Sequence, residues 1–136
     1  ASDSLNAVIG QGYVIVNPLQ LAVMAARLAS GKLLYPSLVA RKPGIIKPLP
    51  YSAEQLAVVR SGMDRVVNGN GTAVASRLPL EGIKLAGKTG TAQVRGLASG
   101  SRGQGGTRRY RDHGLFVCYA PTENPRYAAA VIIEHG

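Results

Sequence analysis

The chain has 136 residues, of which 46% are hydrophobic and 17% are charged, so it is one folded domain or part of one and not a disordered chain. Sixteen Lys and Arg against seven Asp and Glu give a net charge of +9, which favours an anionic partner without specifying it. A single cysteine, Cys118, excludes an intrachain disulfide, and no apolar run approaches the ~20 residues that cross a bilayer.

A first helix is predicted after Asn17. Asn17 has the N-cap position, Pro18 the first helical position and Gln20 the third, which together form a capping box. Gly31 supplies the stop signal. The four Pro of residues 32–50 then predict an extended connection. The apolar face expected for this helix consists of Leu21, Met24, Ala25 and Leu28.

A second helix is predicted by the same signals. Ser52 and Gln55 form its capping box, and the Asn-Gly-Asn-Gly run at 68–71 ends it. Thr72 is then expected to cap a short third helix that ends near Ser76. The apolar face expected for the second helix consists of Leu56, Val59, Met63, Val66 and Val67.

The rest of the chain predicts strands. Residues 83–94, 115–120 and 127–134 are apolar and rich in Thr, Val, Ile or Ala, and the short segment 121–126 is expected to join the last two as a hairpin. A long basic, Gly-rich loop occupies residues 95–112. Because helices come first and strands follow, the pattern predicts an α+β fold with an antiparallel sheet.

Two motifs overlap in residues 82–90. Gly82 to Thr89 satisfies the phosphate-loop pattern G-x-x-x-x-G-K-[ST], which gives a nucleotide-binding protein as one interpretation. Lys88-Thr89-Gly90 is also the K-T-G element of penicillin-recognising enzymes. A phosphate loop needs a buried strand before it and a helix starting at Lys88-Thr89. Pro79 lies where that strand should be, and the Gly and Thr that follow form helices poorly, so the setting favours K-T-G.

The K-T-G interpretation gives each of four residues a chemical task. An extended peptide can pair with an exposed strand edge, and Gly90 leaves room for its backbone. The Thr89 hydroxyl can donate to a substrate carboxylate, and the Lys88 ammonium supplies positive potential. The Thr91 amide can act as one oxyanion donor, a role typically worth ~3 kcal/mol. Strict alternation puts Lys88 and Thr89 on opposite faces, so both reach one substrate only along a twisted edge.

A wider set of motifs resembles the class B penicillin-binding proteins, most closely the branch that serves rod elongation. The motifs occur in family order and span nearly the whole chain: I-G-Q-G at 9–12, N-P-L-Q-L at 17–21, G-T-A at 71–73, A-G-K-T-G-T-A-Q at 86–93, D-H-G-L-F-V at 112–117 and Y-A-P at 119–121.

The resemblance implies a partial penicillin-binding/β-lactamase-like transpeptidase fold. It implies a D,D-transpeptidase that cross-links peptidoglycan stem peptides through a serine acyl-enzyme and is blocked by β-lactams. It also implies a periplasmic domain held at the bacterial inner membrane, with a SEDS-family glycan polymerase and elongation-complex proteins as partners. No cofactor, metal or nucleic acid belongs to this chemistry.

The family's nucleophile motif, Ser-x-x-Lys, does not occur in this chain. Ser4-Leu5-Asn6 matches the second motif, Ser-x-Asn, but precedes I-G-Q-G, where the family has an unrelated turn. The family's closing helix is also expected after the last strand. Residues 1–136 are therefore interpreted as the C-terminal portion of a transpeptidase domain, inactive by itself.

Three other features have simpler interpretations. His113 is expected to be a hydrogen bonder at a strand end, and Cys118 a core residue. His135 has no metal-ligand partner at useful spacing. The loop also contains five Arg, so a further alternative is a nucleic-acid-binding module that binds through residues 95–111.

Overall fold

The computed structural model describes residues 2–8, 10, 14–40, 44–93 and 111–136. Helices precede strands along the chain, as predicted, which confirms the α+β class. The elements in chain order are α1 (Ser2–Val8), α2 (Pro18–Ser30), α3 (Ala53–Asn68), a 3-10 turn (Val74–Ser76), β1 (Ala86–Ala92), β2 (His113–Ala120) and β3 (Tyr127–Ile133). Helix α1, which contains Ser4 to Asn6, was not predicted.

Helix α2 begins and ends at the predicted residues. The Asn17 side chain accepts from the Gln20 amide and the Gln20 side chain accepts from the Asn17 amide, each at 2.9 Å. Gly31 ends the helix in the left-handed region, with φ 70°. In the described part of the connection that follows, one isolated bridge joins Lys32 to Pro48. The capping box and the extended connection are therefore confirmed.

Helix α3 begins with the second predicted capping box. The Ser52 hydroxyl accepts from the Gln55 amide at 3.2 Å, and the Gln55 side chain accepts from the Ser52 amide at 2.9 Å. At the other end, Arg77 donates to three carbonyl oxygens, those of Val67, Asn68 and Gly69, at 2.9 to 3.0 Å. Terminal helix carbonyls have no partner inside the helix, so this guanidinium satisfies them from outside.

The buried faces of the two helices differ in part from the predicted ones. Met24 and Val59 were expected to be buried, but each is 42% exposed. Helix α2 buries Ala25, as predicted, together with Ala29, which was not predicted and lies four residues later on the same face. Small side chains let a helix approach a sheet closely, so the contact stripe runs along the alanines and turns Met24 outward.

The three strands form one antiparallel sheet in the order β1-β2-β3. The register pairs Ala86 with Tyr119 across β1 and β2, and Tyr119 with Ala128 across β2 and β3. Helix α3 packs along β1, and α2 packs along β3 and β2. The first core cluster joins helices and sheet through Ala29, Met63, Ala86 and Tyr119. A second cluster consists of Val67, Ala73 and Leu85, with Phe116 and Cys118 beside it.

Strand β1 starts later than predicted. Residues 83–85 were expected to belong to it, but the strand begins at Ala86. Gly82 has φ 74°, and the Ile83 amide donates to the Leu80 carbonyl, so the chain turns there before it extends. The hairpin is confirmed, since residues 121–126 connect β2 to β3.

One face of β3 is exposed and apolar. Tyr127, Val131 and Ile133 alternate along the strand and are 73%, 52% and 61% exposed. Across the described residues, no helix is both long enough and apolar enough to span a bilayer.

Candidate active site

Strand β1 carries all four residues that the sequence predicted for the site. Lys88, Thr89, Gly90 and Thr91 follow one another in it, opposite Val117, Phe116, Leu115 and Gly114 of β2. Because β1 is the first strand of the β1-β2-β3 order, it forms an edge of the sheet that the structure describes. The K-T-G element thus lies on an edge strand, the setting that pairing with an extended peptide requires.

The Lys88 side chain reaches along the strand towards the next residue. Its register partner Val117 is buried, yet Lys88 itself is exposed. The ammonium Nζ donates to the backbone carbonyl of Thr89 at 2.7 Å. Alternation separates the two side chains, but this bond brings the positive charge to the backbone of the next residue.

The Thr89 hydroxyl has a partner that the sequence analysis did not identify. Thr72 Oγ1 lies 2.8 Å from Thr89 Oγ1, and either atom could be the donor. Thr72 was expected to cap the short helix after it. That expectation was wrong, since the 3-10 turn has Ala73 at its N-cap and no side-chain cap bond. The Thr72 hydroxyl contacts the K-T-G strand instead. The feature of the sequence that could have pointed to this role of Thr72 is the G-T-A motif at 71–73.

Two glycines of β1 have different reasons to be glycine. A Cβ atom at Gly87 would lie 2.6 Å from Phe116 Cζ and 2.8 Å from the Val117 carbonyl oxygen. The Phe116 ring therefore occupies the space over Gly87. A Cβ at Gly90 would meet Leu115 Cβ at 3.4 Å, an ordinary contact. The described structure requires glycine at 87 but tolerates a larger residue at 90.

The setting does not support the phosphate-loop alternative. Lys88 and Thr89 lie within β1, whereas a phosphate loop would begin a helix at these residues. Gly82 belongs to a separate turn six residues earlier. The other alternative is nucleic-acid binding through residues 95–111, of which residues 95–110 lie outside the described ranges.

The two histidines contact each other at the end of the sheet. His113 is the first residue of β2, and its Nδ1 accepts from the His135 amide at 3.1 Å. The ring centroids are 4.7 Å apart, and His135 Nδ1 lies 3.0 Å from the Arg111 carbonyl oxygen. His113 is thus a strand-end hydrogen bonder, as predicted. Among the residues described, no three His, Cys, Asp or Glu side chains are grouped as a metal site requires.

Cys118 lies in the middle of β2, paired with Gly87 and Ala129. Burial raises the pKa of its thiol above the ordinary value, against a smaller opposing effect from a hydrogen bond with the backbone of Ala129. Its place beside the second core cluster confirms the predicted packing role. The thiolate is the reactive form of cysteine, so a raised pKa predicts low reactivity.

We expect alkylation of Cys118 by iodoacetamide to be slower in the folded protein than in urea near neutral pH. A raised pKa leaves less thiolate at any pH below it, so the folded-state rate should keep rising past ~8.5, the ordinary thiol value. The stabilisation from the buried neutral thiol is present below that value and is lost as the pH rises through the raised pKa. Mass spectrometry at the chain's only cysteine measures the rate. Equal folded and unfolded rates would contradict the assignment.

Comparison with known proteins gives one consistent family. A family model described as the penicillin binding protein transpeptidase domain matches residues 2–136. The peptidoglycan D,D-transpeptidase MrdA of Acinetobacter baumannii is 36% identical over 148 residues, an alignment that covers 98% of this chain and 22% of that protein. The chain thus spans less than a quarter of that relative.

Solved structures give the same result. Penicillin-binding protein PBP2 of Helicobacter pylori, solved in complex with MreC, has a TM-score of 0.78 at 33% identity, covering 99% of this chain and 24% of that one. PBP2 of Pseudomonas aeruginosa, solved with the compound WCK 5153, has a TM-score of 0.73 at 36% identity, covering 98% of this chain and 29% of that one.

Proposed function

The chain belongs to the penicillin-binding protein transpeptidase family, which confirms the resemblance, and on that premise we propose its function. It is part of a peptidoglycan D,D-transpeptidase that cross-links stem peptides through a serine acyl-enzyme and that β-lactams block. The observation that carries the proposal is the K-T-G element on an edge strand, with the Lys88 ammonium 2.7 Å from the Thr89 carbonyl oxygen.

The four residues of β1 act on one extended substrate. The stem peptide adds to the strand edge, where main-chain hydrogen bonds hold it. The Thr89 hydroxyl donates to the substrate carboxylate, and the exposed Lys88 ammonium strengthens that contact electrostatically. Gly90 leaves space for the peptide backbone. The Thr91 N–H stabilises the oxyanion of the tetrahedral intermediate.

The nucleophile belongs to a longer protein, called the parent protein below. None of the chain's serines has Lys three residues later, and the alignment covers 22% of the A. baumannii relative. Residues 1–136 then form the C-terminal portion of the transpeptidase domain, without the Ser-x-x-Lys part and the final helix. The exposed apolar face of β3 supports this proposal, because faces of this kind mark contact surfaces.

The partners proposed for the parent protein are supported in part by its relatives. The H. pylori structure contains PBP2 together with MreC, so elongation-complex proteins of that kind are proposed as partners. A SEDS-family glycan polymerase supplies the glycan strands that a cross-linking enzyme needs. The proposed location is the bacterial inner membrane, with the transpeptidase domain facing the periplasm. The substrates and inhibitors are stem peptides and β-lactams, without a cofactor.

The direct test is covalent labelling with a fluorescent penicillin. The parent protein is expected to be labelled, and residues 1–136 alone are expected to remain unlabelled. Labelling of the isolated chain would place the nucleophile inside it and contradict the assignment. A parent protein that takes no label at saturating penicillin would overturn the proposed function.

Replacing Lys88 by Met in the parent protein should slow penicillin acylation by roughly 10- to 100-fold, because a charge-assisted hydrogen bond is worth ~1.5–3 kcal/mol. Stopped-flow fluorescence measures the rate. The matched control is Lys84→Met, which removes the same charge at an exposed position before β1. The Lys84 backbone carbonyl, which accepts from the Thr122 amide, is retained. Equal rates for the two variants would exclude a special role for Lys88.

Gly90→Ala should slow acylation about tenfold, because the added methyl group occupies the space that Gly90 leaves for the substrate backbone. The thermal midpoint should be nearly unchanged, since the added Cβ meets Leu115 at an ordinary distance. Gly87→Ala provides the contrast. There the methyl group displaces the Phe116 ring, and overpacking of this kind costs ~1–3 kcal/mol. Acylation rates of both variants measure the effect on substrate approach, and thermal melts measure the effect on folding stability. A strongly destabilised Gly90→Ala protein would show that the fold, and not the substrate, requires this glycine.

A further inference from the structure

The hydroxyl groups of Thr72 and Thr89 form a hydrogen bond whose direction matters for the proposed reaction. The oxygens are 2.8 Å apart, and the residues are 17 positions apart in the chain. A hydroxyl group has one proton, so Thr89 cannot donate to Thr72 and to a substrate carboxylate at the same time. When Thr89 donates to the carboxylate, Thr72 has to be the donor of the pair.

The residues on either side hold Thr72 in place. At Gly71 a Cβ atom would lie 2.3 to 2.6 Å from backbone atoms of Val66, so the chain there lies directly against helix α3. Ala73 is 5% exposed, and its amide donates to the Val66 carbonyl at 3.1 Å. Thr72 itself is exposed between these two fixed residues. Its hydroxyl is therefore presented to β1 by a rigid segment.

We propose that Thr72 is a positioning residue of the transpeptidase site. Its hydroxyl donates to Thr89 Oγ1, so that the Thr89 proton is directed to the carboxylate of the stem peptide or β-lactam. Donors that accept a hydrogen bond become stronger donors, because successive bonds polarise each other. The inference rests on the proposed function, since it gives Thr72 a task through the carboxylate contact of Thr89.

A purely structural link between the G-T-A segment and β1 would give the same distance. The two roles differ in what they do to different ligands. A structural link affects the whole site, so its loss changes acylation by every β-lactam alike. A positioning role acts only on ligands whose free carboxylate receives the Thr89 proton. The ratio of acylation rates for a penicillin and its methyl ester therefore separates the two roles.

The experiment compares four variants of the parent protein: Thr72→Val, Thr72→Ser, Thr89→Val and the double variant Thr72→Val/Thr89→Val. Acylation rates are measured for benzylpenicillin and for benzylpenicillin methyl ester, and thermal melts are recorded beside them. Valine has the shape of threonine without the hydroxyl, and serine keeps the hydroxyl. Thr72→Ala removes the same hydroxyl and replaces Thr72→Val if that variant fails to fold.

Thr72→Val is expected to lower the acid-to-ester rate ratio about fivefold, the loss expected for one hydrogen bond. Thr72→Ser should restore the ratio, and Thr72→Val should have no further effect once Thr89 is Val. An unchanged ratio in Thr72→Val, with a lowered ratio in Thr89→Val, overturns the inference and leaves the proposed function intact. The inference is also overturned if Thr72→Val lowers the acid-to-ester ratio equally whether residue 89 is Thr or Val. An unchanged acid-to-ester ratio in Thr89→Val would show that Thr89 does not bind the carboxylate. The inference about Thr72 would then also be overturned.

Discussion

Replacement of the Thr91 backbone amide by an ester is expected to slow acylation of the parent protein by roughly 10²–10³-fold, the usual cost of losing one oxyanion donor. The ester keeps the Thr side chain and the length of β1 but lacks the N–H proposed to face the oxyanion. Incorporation of the hydroxy-acid analogue of Thr at position 91, followed by stopped-flow acylation with a fluorescent penicillin, gives the rate. Reversible binding before acylation should change little, because the oxyanion forms only during the reaction.

The matched control is the ester at Ala92, the next residue of the same strand. Successive N–H groups point to opposite edges of a strand, so if the Thr91 N–H faces the substrate, the Ala92 N–H faces β2. The Ala92 ester should lower thermal stability slightly and leave the acylation rate within a few-fold of the unmodified protein. A large rate loss at Ala92 with none at Thr91 would reverse the orientation proposed for β1.

Gly71→Ala is expected to destabilise the fold by about 3 kcal/mol, at the upper end of overpacking costs. The reason is that the new Cβ would lie 2.3 Å from Val66 Cα and 2.4 Å from the Val66 carbonyl oxygen. Backbone atoms of a helix cannot move aside as a flexible side chain does. Chemical denaturation of the parent protein, followed by a probe in the transpeptidase domain, measures the loss.

Gly62→Ala is the control, because Gly62 lies inside α3 and, apart from the adjoining backbone of that helix and the two neighbouring residues, nothing lies within 4 Å of the added Cβ. Alanine forms helices better than glycine by up to ~1 kcal/mol, so this variant should be unchanged or slightly more stable. The same Gly→Ala change is thus expected to alter fold stability in opposite directions at two positions nine residues apart in sequence. A stable Gly71→Ala protein would mean that the G-T-A segment is free to move away from α3, which would also weaken the case for Thr72.

Features that depend on neighbouring residues were predicted well from the sequence. Both capping boxes join residues three positions apart, so Asn17 with Gln20 and Ser52 with Gln55 could be identified from the sequence alone. The α+β order and the hairpin between β2 and β3 follow from equally local patterns. Burial was predicted less well, since Met24 faces outward although the helical period fits it. Which stripe of a helix is covered depends on what packs against it.

In the candidate site, too, features set by adjacent residues were predicted and features set by packing were not. K-T-G and its neighbour Thr91 were recognised because the motif is contiguous and its strand setting can be checked from adjacent residues. Thr72 was assigned the wrong role, because its partner Thr89 lies 17 residues later and only packing brings the two together. The bond from Lys88 Nζ to the Thr89 carbonyl also depended on side-chain geometry that alternation alone does not give.

The sequence by itself therefore determined the starts of α2 and α3, the placing of helices before strands and the family, and it predicted the residues proposed to meet a substrate, because motifs of a few neighbouring residues carry these signals. Tertiary structure decided where Lys88 places its charge, why Gly87 and Gly71 have to be glycine, and which hydroxyl contacts Thr89. The physical reason is that these contacts join distant segments, and packing of α3 and the G-T-A segment against β1 sets their distances. Residues 82–89 show the difference most clearly: they match a phosphate loop in pattern, but Lys88 and Thr89 occupy the edge strand of an antiparallel sheet.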